Sequence, residues 1–255
     1  MTPELGIIEG YFGTPWSWPD RTSVMRRLRA HGYTFFHYAP KADPFLRRRW
    51  QEPHPEGEHA NLTRFAAACR DAGVRYGVGL SPYELFRDFG REGRAALKAK
   101  IEALDSLGLD DLAILFDDMR GDQPDLAAIQ AEIVHEAASL TRATRLIMCP
   151  SYYTDDPILD RAFGQRPSRY LEELGERLDP RIAIFWTGPE VCAKELTRGH
   201  CARVAESLRR KPFLWDNYPV NDGPRMSQGL HLRAFTGRHA AIADTIAAHA
   251  VISRI

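Results

Sequence analysis

Two adjacent aspartates, Asp117 and Asp118, directly follow an apolar run in the segment LAILFDDMRG, residues 112–121. A buried strand that ends on two like charges is electrostatically unfavourable, so the pair indicates a specific role. Three roles suit neighbouring carboxylates: they can cap a helix N-terminus, bind a divalent cation such as Mg²⁺, or carry out acid–base chemistry. The helix-cap role is weakened because Asp122 and Pro124 have the pattern of the next helix start.

The acid–base role implies a definite division of labour between the two carboxylates. Consecutive Cα atoms lie about 3.8 Å apart, and two carboxylates that close in a partly dry pocket do not both ionise readily. The pKa of one should therefore rise, which makes that group a proton donor near neutral pH. Adjacent residues are poorly placed as an acid and a nucleophile on opposite sides of a sugar carbon. They suit a substrate whose own 2-acetamido group is the nucleophile, with one carboxylate orienting that group and the other protonating the leaving oxygen.

The elements that must position this pair form a regular series along the chain. Eight apolar, β-branched or aromatic runs start at intervals of 29 to 41 residues, and amphipathic helical patterns lie between them. Most runs are continuous, which is typical of strands covered on both faces in a parallel sheet. The eight runs are residues 5–10, 34–40, 75–82, 112–118, 145–150, 182–189, 212–219 and 248–253.

This series predicts an α/β fold, a TIM-type (β/α)8 barrel with an atypical or truncated last unit, in a single domain spanning residues 1–255. An open doubly wound sheet is the alternative, but no GxGxxG follows the first strand. In a barrel the carboxyl ends of the strands meet on one face, where active sites form. The residues expected there, whose carboxylates, amides and aromatic rings suit a sugar, are Glu9, Gly10, Tyr11, Lys41, Asp43, Asp117, Asp118, Tyr152, Tyr153, Trp186, Thr187, Trp215, Asp216, Asn217 and Asp222.

Composition excludes several other classes of protein. The chain of 255 residues balances 34 Lys and Arg against 34 Asp and Glu, which argues against a dedicated nucleic-acid binder. The local cluster of Arg47, Arg48 and Arg49 is interpreted as a solvated face. None of the four cysteines forms a CxxC pair, so zinc and redox spacing is missing. No secretory signal or membrane span is visible, and we expect a cytoplasmic protein.

Six segments in order resemble the motifs of glycoside hydrolase family 84, the β-N-acetylglucosaminidases that include protein O-GlcNAcases. The resemblance extends from residue 6 to TGR at 236–238. It implies a retaining enzyme that removes terminal β-linked N-acetylglucosamine through an oxazoline, with no metal and no organic cofactor. The six segments are GIIEGYFGTPW (6–16), YAPKADP (38–44), LFDDM (115–119), CPSYY (149–153), FWTGPEV (185–191) and LWDNYPVND (214–222).

The resemblance also implies a role for each matching residue. Asp117 would orient and polarise the acetamido N–H, and Asp118 would act as general acid and then as general base. The other matching residues would bind the sugar. Gly10 and Lys41 would contact its hydroxyls, and Tyr153 and Trp215 would contact the acetamide. Asn217 and Asp222 would hold the acetamide region and the O4/O6 hydroxyls.

One departure from the family pattern supports a second hypothesis. Family members have an asparagine after the last strand that contacts the sugar, whereas this chain reads AHAVISRI at residues 248–255. Ser253 or a neighbour falls at that place, or the contact is absent. The alternative is therefore an N-acetylglucosamine-binding protein or a weakly active glycosidase-like protein. The expected partner is an N-acetylglucosamine-containing glycoside or glycoprotein, with no nucleic acid and no membrane, and the sequence leaves the oligomeric state open.

Overall fold

The computed structural model describes residues 3–218, 220–223, 226–229 and 234–252. These residues contain a closed barrel of eight parallel strands in sequence order, which confirms the predicted (β/α)8 fold. The last strand closes the barrel by pairing with both the first and the seventh. The strands are β1 Glu4–Glu9, β2 Tyr33–Tyr38, β3 Arg75–Leu80, β4 Asp111–Leu115, β5 Arg145–Cys149, β6 Ala183–Trp186, β7 Phe213–Asp216 and β8 Ala248–Ile252.

Helices surround the barrel, and the apolar stripes identified in the sequence face its strands. Leu62, Phe65 and Cys69, for example, are all buried on one side of the second helix. Among the described helices, none has the length and apolar character needed to cross a bilayer. The α-helices are α1 Trp18–Arg29, α2 Glu56–Asp71, α3 Arg91–Asp105, α4 Leu126–Leu140, α5 Ile158–Phe163, α6 Tyr170–Arg177 and α7 Arg198–Leu208.

Two departures from the regular pattern lie next to strand ends. Between β7 and β8 the described residues form two short 3-10 helices, Met226–Gln228 and Ala240–Ile242, and no α-helix. After β4, the helix begins at Leu126 and not at the predicted Asp122. The carboxylate of Asp122 instead accepts two hydrogen bonds from Arg120, at 2.5 and 3.1 Å, so this side chain holds a loop in place.

Buried polar and charged side chains fill the amino-terminal end of the barrel interior, opposite the carboxyl ends of the strands. His37 Nε2 lies 2.8 Å from Asp111 Oδ2 inside the barrel, and Arg145 also contacts this carboxylate. Burial raises the pKa of Asp111, but hydrogen bonds from His37 and Arg145 outweigh this and hold the pKa below its usual range. The group is therefore a structural anion at neutral pH, remote from the carboxyl ends of the strands.

Candidate active site

A cavity of about 380 Å³ lies at the carboxyl ends of the strands, within the range of roughly 300 to 1,000 Å³ typical of small-molecule sites. All eight residues to which the sequence assigned a function line it: Gly10, Lys41, Asp117, Asp118, Tyr153, Trp215, Asn217 and Asp222. Sequence reasoning missed several apolar or small neighbours in the same wall: Phe12, Val191, Cys192, Val220, Gly223 and Ile252.

Both aspartates face the cavity because the backbone turns between them. Side chains alternate between the two faces of a strand, and Asp117 continues the inward series of Asp111 and Leu115. Regular strand geometry would send Asp118 outward, towards the helices. Asp118 instead has a φ of 57°, in the left-handed region. Aspartate is among the few non-glycine residues that adopt this conformation readily, so the residue type permits the turn.

The carboxylate of Asp117 has a charged partner and one free acceptor. Its Oδ2 accepts a hydrogen bond from the Lys41 ammonium, which follows β2. Asp117 is only 4% exposed, and its Oδ1 has no hydrogen-bond partner within the described part of the chain. A buried acceptor without a partner is costly. The cavity therefore presents an acceptor suited to an N–H or O–H donor of a ligand.

The carboxyl of Asp118 has different surroundings. Its Oδ1 accepts a hydrogen bond of 3.0 Å from the Tyr153 hydroxyl. Burial and the nearby charge of Asp117 raise the pKa of Asp118, and these effects exceed the opposite ones of Lys41, Arg47 and Tyr153. A carboxyl that keeps its proton to higher pH than usual can donate it. The two neighbouring acids are thus chemically unlike.

An aromatic wall stands beside this pair. The Trp215 indole Nε1 donates to Asn217 Oδ1 at 3.0 Å, and Asn217 Nδ2 donates to the Val191 carbonyl at 2.8 Å. The Lys41 ammonium lies 5.6 Å from the centre of the indole ring. Asn217 therefore fixes the orientation of the tryptophan and ties it to the loop after β6.

Gly10 is required by the close approach of this tryptophan. A Cβ atom at Gly10 would lie 2.6 Å from Trp215 Cζ2. Gly10→Ala is therefore expected to displace the ring, lowering the free energy of unfolding by about 1–3 kcal/mol and kcat/KM for an N-acetylglucosaminide by about 10-fold. Chemical denaturation and steady-state kinetics measure the two effects.

The matched control for this substitution is Gly57→Ala, on the exposed side of α2, where an added Cβ meets nothing within 4 Å. That variant should leave kinetics unchanged and, because Gly57 lies in the first turn of α2, should raise the free energy of unfolding by no more than about 0.5 kcal/mol. Equal kinetics in Gly10→Ala and the wild type would contradict the assignment of Trp215 to the wall of the site.

Two loops that are far apart in the sequence meet at the rim of the cavity. Asp222 Oδ2 accepts a hydrogen bond of 2.8 Å from the backbone N–H of Phe12. The Phe12 side chain is 46% exposed, an unusual position for a large apolar residue. The contact connects the loop after β7 with the loop after β1, so both loops contribute to one opening.

Several residues predicted to face the sugar contact other parts of the protein instead. Glu9, Trp186 and Asp216 end their strands with the outward parity, whereas Asp43 and Tyr152 lie in the loops after β2 and β5. The contacting pairs are Glu9 with Arg21 (2.8 Å), Asp43 with His54 (3.0 Å), Tyr152 with the Gly164 carbonyl (2.7 Å), Trp186 with His200 (2.9 Å) and Asp216 with Arg238 (2.7 Å). Tyr11, which is buried, and Trp16 pack edge to face, with ring centres 6.0 Å apart.

The Asp216–Arg238 pair accounts for the TGR segment. The guanidinium of Arg238 forks onto both carboxylate oxygens of Asp216, at 2.7 and 2.8 Å. It also donates to the carbonyls of Ala193 and Lys194, at 2.7 and 2.8 Å. Arg238 therefore fastens the loop after β6 to the end of β7, next to the Asn217 contact.

The interpretation of three consecutive arginines as a solvated face is wrong for one of them. Arg48 and Arg49 are exposed, but Arg47 is only 7% exposed. Its NH2 group donates to the backbone carbonyl of Asp118 at 3.1 Å. The signal in the sequence was the pair of apolar residues on either side of the arginines, Leu46 and Trp50, both of which are buried in the structure.

The metal-site alternative lacks a ligand set in the residues that the structure describes. No group of three or more His, Cys, Asp or Glu side chains is arranged to hold an ion there. The charged partner of Asp117 is the ammonium of Lys41, which would repel a divalent cation. The donor set favours a neutral polar ligand with N–H and O–H groups.

One family model and three known proteins are similar to this chain. Residues 5–253 match the family model described as beta-N-acetylglucosaminidase. Protein O-GlcNAcases of Rattus norvegicus and Mus musculus are each 28% identical over 245 residues, which is 91% of this chain and only 26% of theirs. A mutant O-GlcNAc hydrolase of Thermobaculum terrenum has a TM-score of 0.85 at 30% identity, over 97% of this chain and 54% of that one. On these grounds the chain belongs to the β-N-acetylglucosaminidases, glycoside hydrolase family 84.

Proposed function

We propose that this chain is a retaining β-N-acetylglucosaminidase that hydrolyses terminal β-linked N-acetylglucosamine by substrate-assisted catalysis. The observation that carries the proposal is the pair of unlike acids in one cavity. Asp117 lies beside an ammonium and keeps a free acceptor, whereas Asp118 has a raised pKa and a phenol as its neighbour. The activity of the relatives, whose names specify O-GlcNAc, supports the same substrate.

In the first step the acetamide oxygen of the substrate attacks its own anomeric carbon. The bond from that carbon to the aglycone oxygen breaks, and Asp118 gives its proton to the departing oxygen. Asp117 accepts the acetamido N–H at its free Oδ1, and its negative charge offsets the positive charge that develops on the amide. Such a preorganised charge in a site of low dielectric constant is a large source of catalysis. The product of this step is a protonated oxazoline (an oxazolinium ion), whose N–H remains hydrogen-bonded to the Asp117 carboxylate.

In the second step the oxazoline is opened by water. Asp118, now ionised, accepts a proton as the water oxygen attacks the anomeric carbon. The bond from that carbon to the acetamide oxygen breaks, and Asp117 releases the restored amide. Two displacements at one carbon retain its configuration. The same carboxyl thus serves as acid and then as base.

The remaining residues of the cavity hold the sugar in the proposed complex. Trp215 forms the wall of the acetamide pocket, and Asn217 supports it. Tyr153 moves its hydrogen bond from Asp118 to the acetamide, which frees the acid for the leaving oxygen. The other proposed contacts are to sugar hydroxyls, at Gly10, Lys41 and Asp222. Because all of these side chains belong to one barrel, we propose that residues 1–255 form a single catalytic domain acting on N-acetylglucosamine-containing glycosides or glycoproteins.

A series of substrates with a fluorinated acyl group tests this proposal. Replacing N-acetyl by N-trifluoroacetyl weakens the acetamide oxygen as a nucleophile without changing the leaving group. We expect kcat/KM to fall by about 10²-fold or more, because an intramolecular nucleophile supplies a large part of the rate. The measurement is steady-state hydrolysis of the aryl glycosides.

Two results would contradict the proposal. A rate indifferent to fluorination would mean that the acetamide is not the nucleophile. Tight binding of a thiazoline analogue of the oxazoline with no turnover of any glycoside would favour the sugar-binding alternative. Ser253, on which that alternative rests, lies outside the described residues, whereas the preceding Ile252 lines the cavity.

A further inference from the structure

Arg47 is a buried cation that contacts the backbone of the proposed general acid. It lies in the loop between β2 and α2, and its NH2 group donates to the Asp118 carbonyl at 3.1 Å. The guanidinium carbon lies 5.9 Å from the centre of the Phe12 ring and 5.5 Å from that of Tyr83. The guanidinium thus lies within cation–π distance of two aromatic rings. No sequence motif assigns this residue a function.

The loop that carries Arg47 is itself anchored to the barrel. The backbone N–H of Arg47 donates to the Pro44 carbonyl at 3.2 Å, and the Leu46 carbonyl accepts a bond of 2.8 Å from the Ser81 N–H, just after β3. Leu46 and Trp50 are buried on either side. The backbone next to Arg47 is therefore attached to the end of β3, independently of the β4 loop that the Arg47 side chain contacts.

The hydrogen bond from Arg47 is made to the backbone of Asp118, whose φ is in the left-handed region. Aspartate tolerates a left-handed φ better than most residues, but the conformation is still less stable than the right-handed one and persists only where the surroundings hold it. The Tyr153 hydrogen bond restrains the carboxyl of Asp118 but not its backbone. We propose that Arg47 is a positioning residue that holds Asp118 in the left-handed conformation from which its carboxyl reaches the leaving oxygen. The inference rests on the function proposed above.

The charge of Arg47 provides a second, separable effect. The groups that act on the charge state of Asp118 are Asp117, Lys41, Arg47 and the Tyr153 hydroxyl, and the Cys149 thiol interacts with it as well. Among them, the Arg47 cation lowers the pKa of Asp118. Its removal should therefore raise that pKa and move the alkaline limb of kcat/KM to higher pH.

The test compares Arg47→Gln, Arg47→Lys and the control Arg48→Gln. Arg48 is exposed and its guanidinium lies 3.7 Å from the Tyr83 ring centre, so the control removes the same charge one residue away. We expect Arg47→Gln to lower kcat/KM for a methyl glycoside by about 10- to 100-fold and for a dinitrophenyl glycoside much less. Its alkaline limb should move to higher pH.

Arg47→Lys separates position from charge. Lysine keeps the cation but lacks the planar fork of donors, so leaving-group dependence should steepen while the alkaline limb stays near that of the wild type. Affinity for the thiazoline analogue should be unchanged in both variants, because it tests the Asp117 side of the site. Arg48→Gln should match the wild type in every readout.

The inference would be overturned if an Arg47 variant had the leaving-group dependence and alkaline limb of the wild type, even with a lower unfolding temperature. That result would leave Arg47 a purely structural role. If Arg47→Gln does not fold, the leaving-group dependence of Arg47→Lys decides the question alone. Failure of the proposed function is distinct, because the wild-type chain would then hydrolyse no N-acetylglucosaminide.

Discussion

Asp117→Asn is expected to lower kcat/KM for an aryl N-acetylglucosaminide by about 10²- to 10⁴-fold. The substitution preserves shape but removes the negative charge that faces the positive charge developing on the acetamide. It also leaves the Lys41 ammonium without its carboxylate partner in a nearly dry site, where an unpaired cation is costly. The rate should therefore fall with good and poor leaving groups alike, because the variant impairs the acetamide nucleophile and not the protonation of the leaving group.

The control for this variant is Asp122→Asn in the same loop. Asp122 is more exposed and pairs with Arg120 away from the cavity, so the variant loses a carboxylate without touching the site. Steady-state kinetics should separate the two variants by orders of magnitude, and circular dichroism should show that both are folded. Full activity of Asp117→Asn would remove the proposed role of this carboxylate.

Asp118→Asn is expected to have an effect that depends on the leaving group. An alkyl glycoside needs full protonation of its departing oxygen, so its kcat should fall by about 10²- to 10⁴-fold. A dinitrophenyl aglycone leaves without a proton, so formation of the oxazoline should be nearly normal and its later hydrolysis should limit turnover. A plot of log kcat/KM against leaving-group pKa should be markedly steeper than that of the wild type.

The pH dependence gives an independent measure of the same group. Burial and the charge of Asp117 raise the pKa of Asp118, so the acid remains protonated at higher pH than an ordinary aspartate. In the proposed mechanism the first step requires the protonated form. The wild-type kcat/KM should consequently decline as pH rises through the raised pKa, and Asp118→Asn should lack that alkaline limb. An identical limb in the variant would assign it to another residue.

The strands could be predicted because buried parallel strands have a local code. Each of the eight apolar runs overlaps one of the eight strands. The loop after β4 was predicted less well. A proline and an aspartate suggested a helix start, but the Asp122–Arg120 contact is a loop contact. The start of α4 thus followed the side-chain contacts of the loop and not the helix-start preference of Asp122 and Pro124.

The cavity was predictable in outline because a barrel gathers its strand ends on one face. What the sequence did not predict was which strand-end side chains point into the barrel and which point outward. Glu9 and Asp216 end their strands as plainly as any predicted ligand, yet they pair with Arg21 and Arg238 outside the cavity. A one-residue difference in register reverses the face of a side chain. Apolar runs in the sequence define strand ends only to within a residue or two. They therefore could not predict the face on which each of these side chains lies.

The sequence by itself determined the barrel, the face that carries the site and the residue types that can do acid–base chemistry, because hydrophobic periodicity and strand ends are local properties. Only the tertiary structure decided that Asp117 contacts Lys41, which is 76 residues away in the sequence. It also decided that Asp118 adopts a left-handed φ and that its carbonyl accepts a hydrogen bond from Arg47. Those features arise from packing between loops of different strands. Packing sets the direction of each carboxyl. It also places a cation beside Asp117 and raises the pKa of Asp118.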